Sequence, residues 1–435
     1  MLYFLLRQLY SLLFLAAIPF IYIQKLIRSR HNPGYRQHWC ERFGFCPLRA
    51  KNSIWIHAVS VGENIAIAPL IKKLHQHHDN TIIITVMTPT GRDQIARLYA
   101  DMPRIQCCYL PYDIGVFMWF FLNRIKPKIG IIMETELWPN LLHSCRKRQI
   151  PVILNNARLS LKSKKGYAKI RFILPYMFDA ITQLNAQTET DAERFIDLGM
   201  EAWKITVTGN IKYDFTTPHD LLSKATQLRD CFGNRPVWIA ASTRAGEDEI
   251  ILDAHKQLKE KFQNALLILV PRHPERFDLV FNLSQARGFS TQRRTKCLDN
   301  TVIDNDVFIG DTLGELMLYY AASDVTFVGG SLSGNGGHNT LEPAALSKPV
   351  LSGPSTYNFS EPTAHLCDAN AMTVIHNSQE IADCLIDFFT HPDTIRQKGN
   401  AALAVFTQNK GALEKQYRII KTILNDIATI KSNTK

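Results

Sequence analysis

The chain reads as an α/β protein with two Rossmann-like parallel-sheet halves behind an amino-terminal apolar helix, and three observations lead there. At 435 residues it is too long for one ordinary core and suits two domains of roughly 150 to 200 residues each. From residue 53 onward short β-rich runs alternate with helical patterns, as in parallel sheets covered by helices, and the alternation restarts after about residue 215. Residues 9 to 23, LYSLLFLAAIPFIYI, form an uncharged apolar run.

That run alone is short for a span of about 20 residues, but residues 1 to 23 together have the length to cross a bilayer. Lys25, Arg28, Arg30, Arg36 and Arg42 follow at once. A positive flank of this kind holds the rest of the chain in the cytoplasm and also suits anionic headgroups. No small-x-small cleavage site follows, so residues 1–27 are expected to be an uncleaved anchor, spanning the membrane or lying in its interface.

The strands expected in the first half are 53–59, 81–87, 105–110, 128–134, 151–157 and 205–210. Those expected in the second are 236–242, 265–271, 306–311, 324–330 and 348–354. Between the halves, DFTTPHD (214–220) is polar and carries a proline, as linkers do. The expected domains are therefore 28–215 and 216–435, with a last helical stretch near 394–430 that is a candidate to pack back on the first domain. Open α/β sheets bind ligands at the carboxyl ends of their strands, so the ligand is expected in a cleft between the two domains.

The formal net charge of +11 and the pI near 9.1 call for an anionic partner: nucleic acid, an acidic membrane or a phosphorylated substrate. Aromatic-basic interleaving, zinc fingers and basic helices are missing, so nucleic acid is set aside. The nine cysteines show no CxxC spacing and fit a reducing compartment. His75, His77 and His78 end an amphipathic helix, and a solvated helix end explains them better than a metal site.

Several strand ends carry residues with chemical potential. In HAVSVGE, Glu63 sits in a strand-to-helix turn, as either a general base or a helix-start acid, and Ser60 is placed to cap the helix and leave Glu63 free. METELWPN places Glu134 and Glu136 two apart, one for substrate and the other to cap the next helix. Asn155, Asn156 and Arg158 close the next strand. The cations Lys162, Lys164, Lys165, Lys169 and Arg171 follow, as a solvated face or a seat for an anionic acceptor. GNIKYD puts Lys212 just past a strand, where a fixed cation can meet charge on a phosphate leaving group, if it is not a plain surface lysine.

In the second half, Ser242, Thr243 and Arg244 form a turn before a helix and suit phosphate. Arg272 and His273 end a strand between prolines, and Leu313, Gly314 and Glu315 open another helix, where backbone groups can read a base edge. The stretch 326–345, TFVGGSLSGNGGHNTLEPAA, joins a strand to glycines and then to a helix opened by Asn339, with Glu342 one turn in. It reads as a phosphate cradle with a ribose-binding acid. Neither GxGxxG nor GxxxxGK[ST] is present, and no metal ligands stand at convincing spacing.

Taken in order, WIHAVSVGE, METELWPN, NARLS, GNIKYD, LVPRHPERF, DTLGELMLYYAASD and FVGGSL with GGHNTLEPAA resemble the 3-deoxy-D-manno-octulosonic acid (Kdo) transferase family of lipopolysaccharide assembly. The resemblance implies a GT-B glycosyltransferase fold, CMP-Kdo as donor and a lipid A precursor as acceptor at the cytoplasmic face of the inner membrane. It implies Glu63 as general base, with Glu134 and Lys212 as transition-state stabilisers. For CMP it implies Arg272, His273, Leu313, Gly314, Glu315, Asn339, Thr340, Leu341 and Glu342.

Transfer would invert the anomeric centre and calls for neither a metal nor another cofactor. Leu313 stands where methionine is frequent and Thr340 where proline is common, both mild departures. The alternatives are a GT-B enzyme using another nucleotide sugar, or a non-catalytic membrane-anchored CMP-sugar-binding protein.

Overall fold

The computed structural model describes residues 2–30, 32–297 and 301–433; Met1 and residues 434–435, the outermost positions of the expected domains, lie outside it. The chain forms two compact units, Met1–Phe215 with Lys410–Lys435, and Thr216–Asn409. Each is built on one fully parallel, seven-stranded sheet.

The first sheet contains β1 (Ser53–His57), β2 (Ile82–Val86), β3 (Ile105–Tyr109), β4 (Pro127–Met133), β5 (Val152–Ala157), β6 (Gln183–Ala186) and β7 (Ile205–Val207). Its order is β3-β2-β1-β4-β5-β6-β7, so the winding reverses between β1 and β4. Alternation along β1 divides the core in two. Ile54 and Ile56 pack with Ile67 and Leu70 on one face, and Trp55 with Phe121 on the other. Gly130 stands opposite Trp55, and a Cβ there would lie 2.8 Å from the indole.

The helix Ala412–Asn433 belongs to this first unit. Asp214 caps its start, accepting the Gly411 and Leu413 N–H groups at 2.7 Å each. Gln416, fully buried, accepts from Asn155 Nδ2 at 2.8 Å and donates to Thr208 Oγ1 at 3.2 Å. The expected last helical stretch is therefore two helices, Pro392–Gln408 and Ala412–Asn433, broken at Gly411, whose φ is 105°.

The amino-terminal helix Leu2–Arg28 is the only one among the described residues long and apolar enough to cross a membrane. It lies along its own unit. Tyr3 OH donates to the Pro139 carbonyl at 3.4 Å, Asn140 Nδ2 donates to Ser11 Oγ at 3.0 Å, and Lys25 Nζ stands 5.6 Å from the Tyr112 ring centre. Its outer face exposes Leu12, Leu13 and Phe20, and the same unit exposes Trp119 and Phe172.

The second sheet contains β8 (Val237–Thr243), β9 (Leu266–Pro271), β10 (Thr291–Arg293), β11 (Val307–Ile309), β12 (Val325–Val328), β13 (Val350–Ser352) and β14 (Met372–Val374). Its order is β10-β11-β9-β8-β12-β13-β14, reversing between β8 and β12. Trp238 and Ala240 of β8 face one core, Val237, Ile239 and Ala241 the other. The two doubly wound sheets agree with the expected fold class. β6, β10 and β14 are not among the expected strands.

Candidate functional site

Doubly wound sheets bind ligands where the strand order reverses, because the loops diverge there. In the first unit β1 and β4 flank that point, and their loops carry Glu63 and Glu134.

Ser60 caps the helix Val61–His77 by accepting the Glu63 N–H at 3.2 Å. The Glu63 carboxylate is not left free by this. Its Oε2 accepts the Val59 N–H at 2.8 Å, and its Oε1 accepts the Ser60 N–H at 3.2 Å and the Ser60 hydroxyl at 2.8 Å, which completes a capping box. The expectation that Ser60 would leave Glu63 free is corrected: the carboxylate is itself part of the cap. Burial pushes its pKa up to about 7, with the Glu134 and Glu136 charges adding to the rise and the bonds from Ser60 and Val59 opposing it.

Glu134 follows β4 in a left-handed conformation, φ 55°, which is costly for a side chain with a Cβ. Its N–H donates to the Asn155 carbonyl at 2.9 Å. Lys212 Nζ reaches Glu134 Oε1 at 3.5 Å. Asn210 accepts the Lys212 N–H at 3.1 Å, and Asn156, itself at φ 53°, accepts the Ile211 N–H at 2.9 Å. Asn156 therefore holds the lysine's turn in place.

Glu136 accepts from the Trp138 indole at 2.7 Å and caps no helix, which corrects the expectation for one of the pair. The helix Pro139–Lys147 is capped by buried Asp113, which accepts the Asn140 and Leu141 N–H groups at 3.0 and 2.8 Å. Of the basic run, Lys164 pairs with Asp197.

In the second unit β8 and β12 flank the reversal. β8 ends through Ser242, another non-glycine at positive φ (58°), into Arg244. Glu247, fully buried, ties the end of β8 to the turn after β12. It accepts the Arg244 N–H at 2.9 Å, the Gly330 N–H at 2.7 Å, the Leu332 N–H at 2.9 Å and the Ser333 N–H at 3.3 Å. Gly330 is at φ 72°, and a Cβ there would stand 2.9 Å from the His338 ring.

These amides are therefore occupied by a carboxylate of the same unit, not open to a phosphate. The helix after them, Leu341–Ala345, is five residues long and starts later than expected. Asn339 precedes it; its Oδ1 accepts the Leu341 N–H and its Nδ2 donates to Glu342 Oε1, each at 3.1 Å. Thr340 and Leu341 are buried. Attraction for an anion passes from the glycine backbone to side chains.

The cations there are Arg244 and Arg272, with His273 and His338 beside them. Arg244 Nε donates to His338 Nε2 at 3.3 Å, which requires that nitrogen to be unprotonated. Burial lowers the His338 pKa to about 4, with Arg272, Arg244 and His273 acting in the same direction. His273 is lowered by burial and next by Arg244. Glu342 is raised by burial, against the Asn339 bond and the Arg272 charge. Arg272, His273, Asn339 and Glu342 thus share one electrostatic neighbourhood.

Leu313 is 77% exposed, and Gly314, at φ 87°, has open space where a Cβ would be. Glu315 is engaged: it accepts from Arg294 Nε and Nη2 at 3.2 Å each, Thr312 Oγ1 at 2.5 Å and Tyr319 OH at 2.8 Å. Burial would raise its pKa, but these bonds outweigh that and lower it. Leu313 and Gly314 are thus left open, while the Glu315 carboxylate is taken up within its own turn. Glu247 and His338 are the residues that sequence reasoning passed over. Glu247 reads as one of three acids opening the helix Glu247–Lys261, and its distant partners leave no local mark. No group of three or more metal-ligating side chains stands together among the described residues.

Residues 37–215 match the family model described as 3-deoxy-D-manno-octulosonic-acid transferase (kdotransferase). The 3-deoxy-D-manno-octulosonic acid transferase of Haemophilus influenzae is 40% identical over 427 residues, covering 96% of this chain and 99% of that protein. The enzyme of the same name from Bordetella pertussis is 33% identical, covering 93% and 96%. Among solved structures, Anabaena Alr3699/HepE in complex with UDP aligns over 86% of this chain and 100% of that one, with a TM-score of 0.54 at 15% identity. That last likeness is one of fold, the GT-B pairing of two Rossmann-like units.

Proposed function

We propose a division of labour that starts from one premise: this chain belongs to the 3-deoxy-D-manno-octulosonic acid (Kdo) transferase family. It is a glycosyltransferase of lipopolysaccharide biosynthesis. The donor in this reading is CMP-Kdo and the acceptor a phosphorylated lipid A precursor.

The first unit serves the acceptor. Glu63 takes the proton of a glucosamine hydroxyl, and the oxygen so freed attacks the anomeric carbon of Kdo. The bond from that carbon to the CMP phosphate oxygen breaks, its electron pair leaves with CMP, and the centre is inverted. A carboxylate whose pKa burial raises to about 7 is matched to this task, since near neutral pH a substantial fraction is ionised and is basic enough to accept the proton. Lys212, steadied by Glu134, meets the negative charge growing on the departing phosphate. The observation that carries the reading is the grouping of Glu63, Glu134 and Lys212 at the β1/β4 reversal point.

The second unit serves the nucleotide. Arg272 and His273 hold phosphate and ribose together with Asn339 and Glu342, the backbone of Leu313 and Gly314 reads the base, and Thr340 and Leu341 build the turn. Glu315 stabilises that base-reading turn through Arg294 and Thr312.

The amino-terminal helix is the membrane contact. Contacts at Tyr3, Ser11 and Lys25 tie both its ends and its middle to the first unit, which favours a helix lying in the cytoplasmic interface of the inner membrane over one projecting through it. Leu12, Leu13, Phe20, Trp119 and Phe172 supply apolar surface for lipid.

A transfer assay with CMP-Kdo and a lipid A precursor tests the donor assignment. Product formation inhibited by CMP and not by UDP is the expected result. Equal inhibition by both, or no product, overturns it.

A further inference from the structure

Lys212 Nζ and Glu134 Oε1 meet at 3.5 Å, the outer limit of a hydrogen bond, so a shift of about half an ångström would part them. The two residues are held by different parts of the first sheet. Glu134 is held by the end of β5, where the Asn155 carbonyl accepts its N–H at 2.9 Å. Lys212 stands in the turn after β7. The helix Ala412–Asn433 connects these two supports.

The connection is a chain of side-chain hydrogen bonds. Asn185 Nδ2 donates to Asn155 Oδ1 at 2.8 Å, Asn155 Nδ2 to Gln416 Oε1 at 2.8 Å, and Gln416 Nε2 to Thr208 Oγ1 at 3.2 Å. All four residues are buried. Both ends of the Gln416 amide are used, and each amide in the chain is oriented by the one before it. Gln416 thereby bridges Asn155, which holds Glu134, and Thr208, four residues before Lys212.

The same helix secures the turn on both sides of the lysine. Asp214, two residues after Lys212, caps the helix start through the Gly411 and Leu413 N–H groups. Ile211, one residue before it, is buried in the apolar cluster that takes in Tyr417, Ile420 and Leu424. A helix seated by apolar contacts alone tolerates small slides. Buried amides are costly unless every bond is made, so this chain accepts one register.

We infer that Gln416 is a positioning residue for the transfer reaction, setting the separation of Glu134 and Lys212 from a helix that carries neither of them. That role rests on the proposed work of Lys212 and Glu134 in the transition state, and Gln416 acts through them. Misplacing a group that meets charge only as the leaving group departs costs turnover more than substrate binding. The expected signature is therefore a loss in kcat that depends on Lys212 being present.

Steady-state transfer from CMP-Kdo to a lipid A precursor, measured on the full chain per folded molecule and well below each variant's melting transition, tests this. Gln416→Leu removes both bonds, and its kcat should fall about 10- to 100-fold with either KM within about twofold of wild type. Thr208→Val should show part of the same loss, and Thr208→Ser, which keeps the hydroxyl, should recover most of it; this pair carries the test if Gln416→Leu folds poorly. Added to Lys212→Ala, Gln416→Leu should cost less than about twofold more, since no lysine is left to place. A residue that only stabilised the fold would lower the melting temperature and leave kcat per folded molecule alone. Unchanged kcat in Gln416→Leu and Thr208→Val, or a loss that multiplies in full with that of Lys212→Ala, would overturn the positioning role. Wild-type turnover in Lys212→Ala would overturn the reading of Lys212 itself, and this role with it.

Discussion

Glu247 accepts the Gly330 N–H at 2.7 Å, so the glycine-rich turn of the second unit is held by a carboxylate 83 residues earlier in the chain. Three more N–H groups end on the same side chain. In Glu247→Gln one acceptor oxygen becomes an NH₂ group facing other donors, at a cost of about 1–3 kcal/mol for each N–H left unsatisfied. The variant should melt at lower temperature and show a donor KM raised about tenfold, with a smaller change in kcat. Thermal melts and steady-state kinetics check it, and Glu247→Asp should restore part of the loss.

Glu63 sets the pH response. As a base it must be ionised, so kcat/KM should rise with pH and level off above its pKa of about 7. The stability effect runs the other way. A carboxyl whose folded pKa is raised binds more protons folded than unfolded, so stability falls as pH climbs from the unfolded value near 4.5 to about 7. Denaturation of Glu63→Gln across that window should show a flatter slope than the wild type.

Lys212 and Glu134 act as a pair. Lys212→Ala should lower kcat about 100- to 1,000-fold with little change in acceptor KM. The loss from Glu134→Gln should not add to it, because two contacting groups share one interaction. Additive losses in a double-mutant cycle would show that they work separately.

Asp113 is a structural counterpart. Asp113→Ala removes the cap of helix Pro139–Lys147 and should cost about 1–2 kcal/mol in denaturant unfolding. Activity per folded molecule should stay close to that of the wild type.

The alternation of β-branched runs made both sheets legible, and strand ends pointed to Glu63, Glu134, Lys212 and Arg272. β6 was not legible because its Asn185 is polar yet buried, satisfied by donating to Asn155 at 2.8 Å, a pairing that hydrophobic pattern does not reveal. β10 and β14 are three-residue edge strands, too short to show a period. Glu134 and Ser242 take a positive φ that such residues disfavour, which no local pattern announces. Glu247 escaped for a related reason: three of its four donors lie 83 to 86 residues away, and only folding brings them to one acid.

Single-turnover transfer from CMP-Kdo to a lipid A precursor, comparing wild type with Glu63→Ala at saturating substrates, tests the account most directly. A drop of about 100- to 10,000-fold in the chemical step, with CMP affinity unchanged, is the predicted result. An unchanged rate would contradict the assignment of Glu63 as the base.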